Sequence, residues 1–105
     1  MKVVERDTIQ SVLQNISIIL TTPKGADVHR PEFGSEIFSF IDQPLTAVTA
    51  GKIKAMIVDD IERWEPRVRV REIELNKDYA TGRAVITLTL EIKETSELIR
   101  TKLWM

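Results

Sequence analysis

Between Trp64 and Val68 the chain reads Trp-Glu-Pro-Arg-Val, and its apolar residues follow a different rhythm on either side of that stretch. Upstream, Val48, Ile53, Met56, Ile57, Ile61 and Trp64 recur at the spacing of one helix face. Downstream, apolar and polar residues alternate, as in a strand with one covered side. Pro66 cannot continue a helix and pushes Glu65 out of the helical region, so the chain turns there and is stiff where it turns. Any fold this chain adopts must therefore join a helical half to a strand half at Pro66.

The helical half opens on Asp7, expected as an N-cap with Gln10 completing a capping box. Ile9, Val12, Leu13, Ile16, Ile19 and Leu20 then form an apolar stripe, and Pro23 with Gly25 ends the helix. The segment HRPEFGSEIFSFIDQP crowds Phe33, Ile37, Phe38, Phe40 and Ile41 around Gly34 and reads as a turn followed by one or two helical turns. Gly34 is expected to supply a positive φ or a close backbone approach, Ser35 a cap, and Phe33 a core side chain. A third helix follows from Thr46 to Trp64, with Thr46 or Thr49 as its cap.

In the strand half, Val68 and Val70 have one parity while Ile73 and Leu75 have the other, so a bulge is expected near Arg71 and Glu72. The turn-rich segment NKDYATG leads into a returning strand. On that strand Ala84, Ile86, Leu88, Leu90 and Ile92 oppose Arg83, Val85, Thr87, Thr89, Glu91 and Lys93. The tail ELIRTKLWM reads as a third strand or a short helix, with Leu103, Trp104 and Met105 placed to dock on something apolar. The expected class is α+β: helices on one face of a small antiparallel sheet, in one domain covering residues 1–105.

Composition removes several functions. Without cysteine there is no disulfide framework or thiolate metal site, and His29, the one histidine, cannot form a histidine cluster. His29 lies in a polar, turn-like stretch and reads as structural or solvent-exposed; no cofactor is expected. The net charge is -1, yet residues 63 to 71 hold four arginines against one glutamate. Arg67, Arg69 and Arg71 could touch a nucleic acid, but such binders show wider basic surfaces, so none is expected as a partner. The longest apolar run, ISIIL, is far short of the ~20 residues of a membrane helix. The start of the chain lacks a signal-peptide core, so synthesis in the cytoplasm without export by that route is expected.

RPEFGSEIF, followed some way on by RWEPRV, resembles the small baseplate wedge family of contractile phage tails. That family, historically labelled lysozyme-like, is shared with type VI secretion systems and related contractile injection machines. The likeness runs from ISIILTTPKG through both strands, and the chain is at the short end of the family. It implies a structural protein of the virion tail baseplate, present in six copies, which templates the first ring of tail sheath by strand addition. It also implies that Glu65, Pro66 and Arg67 clasp a helical bundle of neighbouring wedge proteins, with tube or hub proteins as further contacts. Arg69, Arg71, Thr87, Thr89 and Glu91 are the strand residues expected to meet the sheath. The residues alone leave a second outcome open, in which Glu65 and Arg67 merely pair with each other or with Arg63.

The label raises an enzymatic alternative, a peptidoglycan hydrolase using Glu65 with a second carboxylate such as Glu32 or Glu36. Glycoside cleavage needs one acid held protonated by an apolar setting. Arg63 and Arg67 flank Glu65 and favour its ionised form, which opposes that role. The expectation is a protein that is not an enzyme.

Overall fold

In the computed structural model, which describes residues 6–41, 43–78 and 80–104, the change of period at Pro66 separates two kinds of structure. Helices α1 (Arg6–Thr21), α2 (Phe38–Ile41) and α3 (Ala47–Trp64) come first, then strands β1 (Val68–Asp78), β2 (Arg83–Ile92) and β3 (Leu98–Trp104). The strands make an antiparallel sheet in the order β1-β2-β3, and the class is α+β. The tail thus forms a strand, the first of its two expected outcomes. Readings that touch residues 1–5, Asp42, Tyr79 and Met105 lie outside the described residues.

The stripe of α1 buries Val12, Ile16, Ile19 and Leu20. Its helix already includes Arg6, so Asp7 sits in the first turn instead of capping it, where its charge still favours the helix dipole. Thr46 caps α3, its Oγ1 accepting the Thr49 N–H at 3.2 Å. Ile53, Ile57 and Ile61 of α3 are fully inside, in one core with Ile86, Leu88 and Leu90 of β2. Each such side chain contributes roughly 1.5–3 kcal/mol by leaving water. Val48, expected on the buried stripe, is 68% exposed, because periodicity marks a face but not how far along the helix its neighbours reach. Phe38 is exposed too, since the single turn of α2 offers its neighbours only one side, where Phe40 and Ile41 lean on the core.

The bulge is where parity demanded it. Val70 pairs with Leu90 and Glu72 with Thr89, leaving Arg71 as the extra residue. It brings Val68, Val70, Ile73 and Leu75 onto the same side as Ile92, Leu90, Leu88 and Ile86. On the other side the sheet runs from acid to base: Glu72 and Glu74 on β1, Thr89 and Thr87 on β2, Arg100 and Lys102 on β3. Thr87 is buried although it belongs to this outer side, because β2 is central and long side chains flank it on both strands.

Candidate partner-binding corner and sheet edges

Helix α3 ends at Trp64 because Glu65 leaves the helical region (φ -131°, ψ 80°) ahead of Pro66, while the Glu65 N–H still donates to the Ile61 carbonyl at 2.7 Å. This conformation turns the Glu65 side chain inward, and the residue is only 2% exposed. Its carboxylate accepts from Arg67 Nε at 2.5 Å and Nη2 at 3.0 Å, and from Asn15 Nδ2 at 2.5 Å. Asn15 also donates to the Trp64 carbonyl at 3.3 Å, and Arg67 Nη2 to Ser11 Oγ at 3.2 Å. One carboxylate therefore joins α1, the end of α3 and the start of β1.

Burial by itself pushes the Glu65 carboxyl up, but the hydrogen bonds from Arg67 and Asn15 and the charge of Arg67 outweigh it and hold the group below its ordinary value. Glu65 is ionised near neutrality and its oxygens are occupied. Pro66 and Arg67 form the exposed surface of the corner.

The two motifs that lie apart in sequence meet in space. Phe33 packs edge-on against Trp64 with ring centroids 5.2 Å apart, Arg30 lies 4.0 Å over Phe33, and Arg63 covers Trp64 at 5.1 Å while pairing with Glu32. Arg63 is thus engaged with Glu32 and is not the partner of Glu65. Gly34 has φ +113°, and a Cβ there would stand 2.1 Å from the Thr22 carbonyl oxygen, so both reasons for glycine hold together. Beside it the Ser35 N–H donates to that oxygen at 2.8 Å, and Ser35 Oγ accepts the Ile37 N–H at 3.3 Å, closing a turn ahead of α2 instead of capping that helix, which starts only at Phe38. Lys24 reaches Asp60 at 3.4 Å, fixing the other arm of this loop to α3. His29 is exposed and Glu36 stands on the surface.

The strand residues are placed differently from expectation. Thr87, Thr89 and Glu91 belong to β2, which is paired on both sides, so their backbone groups cannot accept another strand. Glu91 instead receives Arg71 at 2.9 and 2.6 Å across the bulge. Arg69 and Arg71 do lie on an edge strand, β1. There, however, the Val70 N–H donates to Glu62 Oε2 of α3 at 3.2 Å. Asn15 and Glu62, both part of this arrangement, carried no local signal in the sequence; only their distance in the fold gives them a role. Among the described residues no group of three or more metal-ligating side chains occurs, and no helix is long and apolar enough to cross a membrane.

Comparison with known proteins gives this geometry a family. The family model described as baseplate wedge protein gp25 matches residues 6–97. Baseplate protein W of Escherichia phage P2 is 34% identical over 89 residues, covering 85% of this chain and 76% of that protein. Baseplate wedge protein gp25 of Enterobacteria phage T4 is 28% identical over 88 residues, which span 81% of this chain and 61% of the T4 protein. Among solved structures, a Geobacter sulfurreducens protein described provisionally as a tail lysozyme superposes with a TM-score of 0.86 at 24% identity, covering 99% of this chain and 95% of that one. A chain of the post-contracted pyocin R2 baseplate follows with a TM-score of 0.62 at 22% identity, covering 91% and 84%. These two likenesses speak for the fold alone. The family model and the P2 relative carry the assignment: the chain belongs to the baseplate wedge protein family.

Proposed function

We propose that the chain is a structural, non-enzymatic part of a contractile-tail baseplate that binds wedge proteins through the corner at Glu65, Pro66 and Arg67 and templates sheath assembly by strand addition. The carrying observation is the corner itself, in a chain of this family. Glu65 spends its carboxylate internally, holding the Arg67 guanidinium in a fixed fork, while Pro66 and Arg67 face outward on a joint shared by three elements. A preset arginine beside a rigid turn suits an acidic or carbonyl-rich helix end on a neighbouring wedge protein. In this reading Pro66 and Arg67 touch the partner, and Glu65 positions them. The six-fold copy number and contacts with tube or hub proteins follow from the family resemblance.

The hydrolase alternative is disfavoured by the same geometry. A general acid must hold its proton near neutrality, and Glu65 is pulled the opposite way by Arg67 and Asn15. The test is co-purification of tagged protein with co-expressed wedge and sheath proteins, comparing wild type with Arg67→Ala and with Glu65→Ala plus Arg67→Ala, circular dichroism establishing that each is folded. Loss of the wedge proteins from folded Arg67→Ala is expected. Full retention by both variants, or release of glycan fragments from purified peptidoglycan that stops in Glu65→Gln, would overturn the proposal.

A further inference from the structure

We infer that the outer edge of β3 is the edge that receives the added strand, and that it selects an extended segment alternating acidic with apolar residues. The inference rests on the strand-addition reading above and assigns it an edge and a ligand chemistry. The Ile92 N–H donates to the Glu97 carbonyl, and the register pairs Leu90 with Ile99, Leu88 with Thr101 and Ile86 with Leu103. In an antiparallel ladder backbone groups point alternately toward and away from the neighbouring strand. Those of Leu98, Arg100, Lys102 and Trp104 therefore point away from β2, along an unbroken edge.

The competing edge is obstructed. On β1 the outward N–H of Val70 is taken by Glu62, and the bulge at Arg71 interrupts the ladder next to it. Beyond the bulge, Leu75 and Lys77 share a small cleft with Ile41 at the end of α2 and Leu45 from the connection that leads to α3. An added strand on β1 would have only a short run beside that connection.

Side chains specify the ligand. On the outer side of the sheet, Arg100 and Lys102 stand between Leu98 and Trp104, which are 61% and 51% exposed. Lys102 makes no ion pair among the described residues, and Arg100 only approaches Glu74 at 3.9 Å. An incoming strand would place its side chains beside these, so acidic residues at alternate positions satisfy both cations. On the helix side Ile99 and Leu103 are half-buried at the rim of the core, and apolar residues at the intervening positions would complete their cover. The occupant is thus a partner protein's extended arm with acid on one face and aliphatic side chains on the other. Charge supplies register, and the backbone supplies most of the attraction.

The probe is a capped peptide of about eight residues alternating valine and glutamate, with a valine–lysine peptide as counterpart. Backbone amide resonances of the intact protein are followed during titration. The expected result is saturable shifts at Leu98, Arg100, Lys102 and Trp104 with the acidic peptide only. They should weaken about tenfold in Arg100→Glu plus Lys102→Glu and vanish in Lys102→Pro, which removes an outward N–H without touching the β2 ladder. The double charge variant keeps the test decisive if the proline variant unfolds. Shifts confined to Ile73, Leu75 and Lys77 would overturn the β3 assignment and leave strand addition standing. Equal binding of the lysine peptide would overturn the charge selectivity. No edge shifts with either peptide, or a β3 edge already occupied by residues 1–5 or by a second copy, would overturn the inference; the co-purification test judges the wedge-binding role separately.

Discussion

Glu65 is a charged residue placed where charge is costly, and it is kept there by three donors from two side chains. Replacing it with glutamine leaves Arg67 and Asn15 facing a neutral group, one of whose two polar atoms is itself a donor. The expected loss is about 2 kcal/mol by urea denaturation, reduced from the figure for a buried pair because Arg67 is 43% exposed on its side chain. Its pH dependence has a definite sign. The folded-state pKa lies below the ordinary 4.5, so the stabilisation is fully present above that value and is lost as pH falls through the folded one. Wild type and Glu65→Gln should therefore differ at neutral pH and converge in acid; a constant gap across pH would mean that the charge of Glu65 is immaterial. At this scale the sequence was half legible. Glu65 and Arg67 stand two apart, and their pairing was foreseeable as one of two outcomes. Asn15 lies 50 positions away, and nothing local marks it.

The elements were legible wherever period sufficed, from the stripe of α1 to the parity change that located the bulge. What period does not encode is how the loop between α1 and α2 folds back. That loop is set by Ser35 pairing beside Pro23 and Thr22, by Lys24 on Asp60, and by Phe33 on Trp64. Gly34 is where the loop comes closest to the end of α1, so alanine there would meet the Thr22 carbonyl in a backbone region unfavourable to any side chain. Gly34→Ala should lower the melting temperature by at least about 10 °C in calorimetry, corresponding to a loss of ~2–3 kcal/mol or more. Gly25→Ala is the informative comparison, since its φ is also positive, at +91°, but its Cβ would enter open space. It should cost about 1 kcal/mol. If both cost the same, the close approach to Thr22 does not matter.

At the scale of the molecule, helices before strands and an α+β class followed from the sequence, but the rank of each strand did not. Once the tail becomes β3, the strand with the cleanest alternation becomes the central one, and Thr87, Thr89 and Glu91, expected to meet the sheath, stand on a strand paired on both sides. The bulge of β1 then has a consequence for chain length. Arg71 is the one residue of β1 with no counterpart across the ladder, so removing it leaves each pairing from Val68 with Ile92 to Asp78 with Arg83 unchanged. A deletion inside a strand ordinarily shifts every later side chain to the wrong face; here it would shift none. The shortened chain should fold with a melting temperature within a few degrees of wild type, yet with a flatter β1 edge it should sediment as larger species than the wild type, growing with concentration. One residue of length at this position decides less about whether the chain folds than about whether it stays alone in solution.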